Sequence, residues 1–386
     1  MEKGNEIKTV VPALRFSEFI TGKHWYISKI KDIYQITRGQ VLAVRLVKEI
    51  KDDIYIYPVY SSQTQNGGLV GYYKDYLYEN AITWTTDGAN ARDVNYRDGK
   101  FYCTNVCGVL LNQKGFSNKC MAEIINSVTR NYVSYVGNPK LMNGVMGDII
   151  ISVPPTIEEQ QKIADCLSSL DELIEATAQK VEALKEHKKG LIRRLFPTGG
   201  KDVPDLRFPE FQGVKKWERK IIQDICNITT GNKNTQDKKE NGIYPFFVRS
   251  PKVERIDSWS FDGEAILTAG DGVGVGKIFH YYVGKMGVHQ RVYLLYNIQC
   301  NSKYLYYFFS EFFYERVKKM SAKNSVDSVR KDMISDMPLL LPSFHEQEKI
   351  ADCLSSLDEL IEVTSRKVEI LKEHKKGLMQ QLFPKI

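Results

Sequence analysis

The sequence of 386 residues lacks any apolar run approaching the roughly 20 residues that span a bilayer. It also lacks the uninterrupted apolar core of a signal peptide near its start, because six of the first twenty residues, from Glu2 to Glu18, are charged. We therefore expect a cytoplasmic protein that does not contact a membrane.

A disulfide framework is missing as well, because the seven cysteines are odd in number and scattered along the chain. Cys103 and Cys107 lie four residues apart, but no second ligand pair with metal-binding spacing accompanies them. Structural zinc needs four ligands. This cysteine usage is typical of the reducing cytosol, and no metal site is predicted.

Catalytic motifs are absent too. The glycine-rich stretch 270–277 departs from the Walker pattern, because Asp271 stands where glycine is required and Ile278 where serine or threonine is required. Asp205, Glu218 and Lys220 imitate the triad of a metal-dependent nuclease, but so loose a pattern recurs by chance in charged chains. Neither a Gly-x-Ser-x-Gly elbow nor a His-Glu-x-x-His motif is present. We therefore expect no catalytic residues in this chain.

What the sequence does contain is an internal repeat. Residues 159–197 align without gaps to residues 346–384, and 31 of the 39 positions are identical. The shared text includes Lys-Ile-Ala-Asp-Cys-Leu-Ser-Ser-Leu-Asp-Glu-Leu-Ile-Glu and ends in Leu-Phe-Pro. A segment written twice with so little change is expected to present the same surface twice.

A weaker repeat precedes each copy. Residues 11–16, Val-Pro-Ala-Leu-Arg-Phe, recur as Val-Pro-Asp-Leu-Arg-Phe at 203–208, and an Ile-Thr-x-Gly step ends at Gly39 and again at Gly231. The long stretches that follow these landmarks share almost no local sequence. The chain therefore consists of two tandem modules, each with a divergent block followed by a duplicated segment.

The duplicated segment has the spacing of a coiled-coil helix. Its apolar positions alternate between steps of four and three residues, and an average step of 3.5 keeps one stripe against a partner helix. A helix over 159–195 would be roughly 55 Å long at ~1.5 Å per residue, which favours coiled-coil pairing over an amphipathic helix lying on its own domain. Because each helix must return the chain to the next module, we expect antiparallel pairing. The predicted seam residues are Ile163, Leu167, Leu170, Ile174, Val181, Leu184, Leu191 and Leu195, with Ile350, Leu354, Leu357, Ile361, Val368, Leu371, Leu378 and Leu382.

The divergent blocks are predicted to be strand-rich with mixed α and β structure. Strand-like segments such as 53–60 and 243–248 are separated by glycine turns, and 304–320 is predicted to be an aromatic-rich helix. Residues 1–158 carry 18 basic and 15 acidic residues, a net charge of +3, and residues 201–342 carry 22 and 17, a net charge of +5. An excess of positive charge in these two blocks suits a polyanionic partner.

Taken together, these landmarks resemble the specificity subunits of Type I restriction–modification systems. The resemblance rests on the Pro-x-Leu-Arg-Phe opening with its following tryptophan, the Ile-Thr-x-Gly step, the Glu-Gln-x-Lys-Ile start of the helix and its Leu-Phe-Pro end. It covers essentially the whole chain in both copies. Residues 67–72 and 86–89 of the first block, and 268–272 of the second, are similar to stretches of that family's target-recognition domains.

The resemblance implies an α+β fold with two tandem target-recognition domains, residues 1–155 and 201–342, each followed by a repeated helix, residues 156–200 and 343–386. The helices are expected to form an antiparallel coiled coil with pseudo-twofold symmetry that spaces two DNA half-sites. Each domain would read one half of a bipartite, asymmetric target in double-stranded DNA.

The resemblance also implies partners that supply the chemistry. Two methyltransferase subunits would dock on the duplicated helices and methylate adenine N6 with S-adenosylmethionine, flipping the base out of the duplex. Restriction subunits that use ATP and Mg²⁺ would join them in a complex that also cuts DNA in defence against foreign DNA. This chain itself would be a non-catalytic subunit without a cofactor or metal.

By position in the family pattern, the DNA-binding residues are expected in the loops after the Ile-Thr-x-Gly step and in polar clusters, because Asn, Gln, Arg and Lys side chains suit base edges and phosphates. The candidates are Arg38, Ser62, Gln63, Gln65, Asn66 and Arg92 in the first domain, and Asn232, Lys233, Asn234, Arg249, Gln290, Lys323 and Arg330 in the second.

Two alternatives make different predictions. A coiled-coil adaptor whose divergent blocks bind proteins would show no sequence-selective DNA binding. A stand-alone nuclease using Asp205, Glu218 and Lys220 would cut DNA alone in the presence of magnesium.

Overall fold

A computed structural model describes residues 8–62, 65–213, 217–272, 274–321 and 328–385. The chain folds into two compact units. The first unit is made of Met1–Ala176 and Val368–Ile386, and the second unit is Thr177–Lys367. Each unit therefore combines one strand-rich block with part of each of two long helices, α4 (Ile157–Leu195) and α7 (Phe344–Leu382).

The first unit contains a six-stranded sheet in the order β3-β8-β6-β7-β4-β5 and a small sheet in the order β1-β2-β9. The strands are β1 (Thr9–Val10), β2 (Trp25–Lys29), β3 (Gln35–Arg38), β4 (Tyr57–Tyr60), β5 (Leu69–Tyr73), β6 (Tyr78–Thr85), β7 (Val94–Cys103), β8 (Cys107–Leu111) and β9 (Ile150–Val153). Three short helices accompany them: α1 (Ile30–Ile33), α2 (Lys119–Thr129) and α3 (Asn143–Asp148).

The second unit repeats this topology, with a six-stranded sheet in the order β11-β16-β14-β15-β12-β13 and a β10-β17 pair. The strands are β10 (Glu218–Ile221), β11 (Asn227–Thr230), β12 (Tyr244–Phe247), β13 (Glu254–Ile256), β14 (Phe261–Ala269), β15 (Phe279–Val288), β16 (Val292–Tyr296) and β17 (Pro338–Leu341). Its helices are α5 (Ser302–Met320), α6 (Lys331–Ser335) and part of each long helix. The predicted α+β class, with two strand-rich domains each followed by a long helix, is confirmed.

In each large sheet, the longest hairpin contains residues with a left-handed backbone. In β6–β7 the register shifts at Asn80 (φ 49°), and Gly99 has a φ of 66°. In β14–β15 the directly opposed Gly263 and Gly284 have φ values of 142° and 125°. Glycine adopts such angles at little cost, and a bulge bends its strand. The last residues of β7 and β15 then pair in parallel with β4 and β12.

The two long helices run antiparallel where they pair within each unit. In the first unit, Asp171 of α4 accepts a hydrogen bond from Lys375 of α7 at 2.8 Å, and residues 163–167 share a core with residues 378–383. In the second unit, Lys188 donates to Asp358. These two ion pairs join corresponding residues of the repeat, so the lysines interrupting the apolar seam are matched by carboxylates. All sixteen predicted seam residues are buried or half-buried.

The start of each helix is tied to its module by a buried ion pair. Arg15 donates to both carboxylate oxygens of Glu159, at 2.7 and 2.8 Å, and Trp25 Nε1 donates to the same carboxylate at 2.9 Å. Arg207 makes the same two-point contact with Glu346, at 2.6 and 2.7 Å. Paired, planar contacts of this kind are the stronger form of the arginine–carboxylate interaction. They explain why Leu-Arg-Phe and Glu-Gln-x-Lys-Ile recur together in the sequence.

The end of each helix is fixed in the same way in both units. The Leu14 amide donates to the carbonyl of Gln381 at 3.0 Å, and the Leu206 amide donates to the carbonyl of Arg194 at 2.8 Å. Phe383 is buried in the core of the first unit. In the core of the second unit, the ring centres of Phe196 and Tyr304 lie 4.9 Å apart. The Leu-Phe-Pro motif therefore anchors a helix end in a domain core. Among the described helices, none is both long and apolar enough to cross a membrane.

The buried ion pair at the helix start yields a stability prediction. Replacing Glu159 with Ala leaves the guanidinium of Arg15, whose side chain is only 6% exposed, without its carboxylate. Breaking such a pair costs about 3–5 kcal/mol. We expect Glu159→Ala to lower the urea midpoint of unfolding strongly, whereas Glu158→Ala, at the exposed neighbouring position, leaves it nearly unchanged. Equal midpoints for the two variants would contradict this role.

Candidate nucleic-acid interface

Loops that are distant in sequence meet at one edge of the large sheet in each unit. In the first unit this edge, here called the first rim, consists of residues 39–40, 61–62, 86–92 and 104–106. Main-chain hydrogen bonds connect its loops. The Gln40 amide donates to the carbonyl of Cys103, the last residue of β7, at 3.1 Å, and the Thr86 amide donates to the carbonyl of Val106 at 2.9 Å. The first rim is therefore a continuous surface formed by four separate loops.

The Ile-Thr-x-Gly step is required by this arrangement. A Cβ atom on Gly39 would lie 2.3 Å from the carbonyl oxygens of both Cys103 and Thr104. On Gly231, it would lie 2.1 Å from the carbonyl oxygen of Val288. Such distances exclude any side chain unless the backbone shifts. The repeated glycine therefore lets the chain leave the sheet directly beside the neighbouring turn in both units.

The structure brings the described candidates of the first domain to the first rim or its border. Arg38 is the last residue of β3, and its Nε is buried without a hydrogen-bond partner among the described residues. Ser62 is held by its carbonyl, which accepts from the Asn90 side chain at 3.1 Å. Asn66 lies in a left-handed turn with φ 50°. Gln63 lies outside the described residues, and the side chain of Gln65 is not described.

Arg92 stands out by its backbone. Its φ of 115° is rare for a residue with a side chain. Two hydrogen bonds hold this conformation. The Arg92 amide donates to the main-chain carbonyl of Thr85 at 2.9 Å, and the Arg92 carbonyl accepts from the Thr129 hydroxyl at 3.2 Å. Strained backbone of this kind is concentrated at functional sites in proteins. The structure thus places Arg92 in the first rim, and its role in binding stays a prediction.

Arg97 is a residue of this region that the sequence did not single out. From β7 its Nε donates to the Thr83 hydroxyl at 3.0 Å, and its terminal nitrogen donates to the carbonyl of Gly67 at 2.7 Å. The guanidinium lies 3.7 Å from the centre of the Tyr60 ring. Burial lowers the pKa of Arg97. This side chain therefore supports the turn that carries Asn66, and no short sequence pattern around it signals that role.

The corresponding edge of the second unit, here called the second rim, consists of residues 231–235, 247–249, 270–271 and 289–291. Gln290 links two predicted residues. Its side-chain amide donates to the side-chain oxygen of Asn234 at 2.7 Å, and its main-chain amide donates to the carbonyl of Lys233 at 2.9 Å. The Asn232 amide donates to Val288 at 3.2 Å. Main-chain contacts thus gather Asn232, Lys233, Asn234 and Gln290 into one polar cluster, in which the Lys233 ammonium donates to the Ser258 hydroxyl at 2.9 Å.

Charged residues border this cluster. Arg249 donates to Asp271 at 2.8 Å, and Arg291 lies 3.8 Å from the second oxygen of the same carboxylate. Arg291 was not among the predicted residues, although it is adjacent to Gln290. Arg330 follows Val329, whose amide donates to the carbonyl of Gly270 at 2.7 Å. The Arg330 side chain donates to the carboxylate of Asp332 at 3.3 Å. Lys323 lies outside the described residues.

A buried histidine supports the second rim. Nδ1 of His289 accepts a hydrogen bond from the Arg291 amide at 3.0 Å, and Nε2 lies 3.3 Å from the Thr235 hydroxyl. Burial, followed by the charges of Arg249 and Arg291, lowers the pKa of His289. The neutral ring with its proton on Nε2 satisfies both contacts. His289 is another supporting residue that the sequence pattern did not reveal.

No cluster of three or more His, Cys, Asp and Glu side chains suited to a metal ion occurs in the part of the chain that the structure describes. Asp205 accepts a hydrogen bond from Lys201, and Glu218 forms an ion pair with Lys220 at 2.7 Å. The nuclease alternative therefore gains no support from these residues. Burial raises the pKa of the Cys107 thiol to about 11, which disfavours the thiolate that metal binding requires.

Comparison with known proteins identifies the family. The model of the Type I restriction modification DNA specificity domain matches residues 22–186 and again residues 214–373. The specificity subunit of the Type I restriction enzyme MjaVIII from Methanocaldococcus jannaschii is 24% identical over 93% of this chain and 92% of its own length. A Mycoplasma pneumoniae protein assigned as a type I specificity subunit, S.MpnORF285P, is 36% identical over 42% of this chain, and the match spans about half, 53%, of that protein.

Solved structures share the fold. The S subunit of a Type I restriction–modification system from M. genitalium superimposes with a TM-score of 0.68 at 15% identity, covering 98% of this chain and all of that chain. A chain from a structure of type I R-M complex assembly and conformational transition gives a TM-score of 0.58 at 14% identity, covering 93% and 96% of the two chains. Because the family model matches both modules and most of the sequence, this chain belongs to the Type I restriction–modification DNA specificity subunits.

Proposed function

We propose that this chain is a non-catalytic subunit that reads a bipartite, asymmetric target in double-stranded DNA, with each rim contacting one half-site. The observation that carries the proposal is that the two rims share one backbone arrangement, built at Gly39 and Gly231, but present different side chains. A shared scaffold with different polar groups suits the same task on two different sequences, because base edges are distinguished by their donors and acceptors.

The duplicated helices are the proposed docking surface for two methyltransferase subunits. Leu173 and Leu360 occupy corresponding positions of the repeat and are 44% and 43% exposed. An apolar side chain at the same exposed position of both copies suits two identical partners. In this proposal the methyltransferases bring S-adenosylmethionine for adenine N6 methylation, restriction subunits bring ATP and Mg²⁺ chemistry, and the complex acts in the cytoplasm. The functional domains would be residues 1–155 and 201–342, with 156–200 and 343–386 as the docking and spacing helices.

An adenine-methylation map of host DNA, with and without the gene for this chain, tests the proposed function. Loss of N6-methyladenine at one split motif, two short half-sites around a fixed gap, is the expected result. An unchanged map, in cells where the methyltransferase partner is shown to be bound and active, would overturn the proposal and favour the adaptor alternative.

Lys233 and Gln290 are expected to contribute in different ways. If Lys233 contacts phosphate, Lys233→Met weakens binding to all sequences similarly and reduces the salt-dependence slope by about 1. Gln290→Ala removes a group suited to a base edge, and it should cost roughly 1–3 kcal/mol of discrimination in the second half-site only. Binding titrations at several salt concentrations, with matched and mismatched duplexes, measure both effects. A loss confined to one half-site for Lys233→Met would refute its phosphate role.

Arg97→Gln is expected to relax recognition of the first half-site. The variant loses the charged hydrogen bond to Gly67, and bonds of this kind contribute about 1.5–3 kcal/mol. The methylation motif should become degenerate in one half while the other half stays unchanged. Arg255→Gln is the matched control, because Arg255 donates to the carbonyls of Gly242 and Ile243 outside the second rim. Equal behaviour of the two variants would contradict a positioning role for Arg97.

The docking surface makes a stoichiometric prediction. Leu360→Asp should remove one of two methyltransferase subunits, and the double variant with Leu173→Asp should remove both, because a charge is introduced into an apolar contact. Arg366→Asp, at an exposed position of the same helix, is the control and should retain two subunits. The mass of the purified complex in solution measures the number bound. Retention of two subunits by the double variant would place docking elsewhere.

A further inference from the structure

The segment that follows Gly39, directly beside the first rim, carries exposed apolar side chains, whereas the segment that follows Gly231 in the second rim is polar. Val41 and Val44 follow Gly39 and are 78% and 88% exposed. The segment after Gly231 instead carries Asn232, Lys233 and Asn234. The two segments leave their sheets by corresponding main-chain hydrogen bonds, because the residue after each glycine donates to the last residue of the neighbouring strand. The segments that follow the two equivalent glycines therefore differ in chemistry.

A second apolar segment lies beside the first rim. Residues 134–140 form a turn whose ends, Ser134 and Lys140, are joined by antiparallel main-chain hydrogen bonds. The Gly88 amide donates to the carbonyl of Pro139 in this turn at 3.0 Å. At the tip of this turn Tyr135 is 66% exposed and Val136 is 92% exposed. Its contact with Gly88 attaches this tip to the rim loop 86–92. The apolar tip is therefore continuous with the surface assigned to DNA.

We propose that Val41, Val44 and Val136 make apolar contacts with the 5-methyl group of thymine in the major groove of the first half-site. The inference rests on the proposed function and adds to it a preferred base chemistry. Apolar side chains discriminate thymine from the other bases through this methyl group, which lies on the groove edge of the base. The second rim, with its amide and cationic groups, reads its half-site mainly by hydrogen bonds.

The charges beside the valines favour DNA over a protein as the occupant. Arg45 is exposed within the turn Val44–Leu46. The side chain of Lys140, 3.8 Å from Asp87 at the base of the 134–140 turn, is 52% exposed. Small apolar groups among cations suit a groove lined by phosphates.

Replacement of thymine by deoxyuridine tests the proposal, because it removes only the methyl group. Once the methylation map has given the target, each thymine of both half-sites is replaced in turn in a synthetic duplex, and affinity is measured with the assembled methyltransferase complex. We expect a loss on the order of fourfold per contacted methyl group, the worth of one buried methyl. The loss should occur in one half-site only.

Polar variants connect that loss to the three valines. Val41→Ser, Val44→Ser and Val136→Ser remove both methyl groups of each valine and alter exposed positions only. In at least one of them, the uracil penalty should disappear. Val283→Ser is the control, because Val283 is 58% exposed on β15 at the bend beside Gly284, and it should retain the full penalty.

The outcomes separate this inference from the proposed function. A split methylation motif with no uracil penalty in either half, or with no thymine in the half that Arg97→Gln relaxes, overturns the thymine contact and leaves the bipartite reading intact. A penalty that persists in all three valine variants also overturns it. The absence of any motif overturns the proposed function itself.

Discussion

The buried contact between an arginine of the module opening and a glutamate in the first turn of the following helix is the interaction on which each unit depends. Arg15 meets Glu159, and Arg207 meets Glu346, each through two short hydrogen bonds. The partners are 144 and 139 residues apart, so the contact closes each strand-rich module onto the helix that follows it. The module and the helix are thereby joined as one body, which a flexible connection would not achieve.

The rims are built on the close backbone approach at Gly39 and Gly231. Main-chain hydrogen bonds hold the rim loops, with support from side chains such as Asn90 and His289. This arrangement leaves the other rim side chains free to differ between the two units. It accounts for a chain in which the structural landmarks recur while the blocks between them have diverged.

Much of the architecture could be predicted from the sequence because it depends on local periodicity. The 3.5-residue spacing predicted one long helix over 159–195 and a second in the repeated segment. In the structure the first helix begins only two residues earlier, at Ile157, and ends at Leu195 as predicted. The aromatic helix at 304–320 was likewise found, as α5. The polar clusters indicated Asn232, Lys233 and Asn234, and the structure places Gln290 against Lys233 and Asn234.

The rest of the candidate site depends on contacts that local sequence does not encode. Arg97 supports a turn 30 residues away, and His289 contacts Thr235 across 54 residues. The pairing of strands that are distant in sequence brings these residues together. The exposed valines beside the first rim could not be found for a different reason. Apolar residues in a strand-rich block are expected in the core, and local sequence does not show that Val41, Val44 and Val136 are exposed.

The central claim is that one chain reads two separate short sequences with two rims built on the same scaffold. Selection of bound duplexes from a random DNA library, with the purified chain in its methyltransferase complex, tests this claim most directly. The account predicts enrichment of two different short blocks separated by a gap of fixed length. Enrichment of a single continuous block, or of no sequence at all, would contradict it.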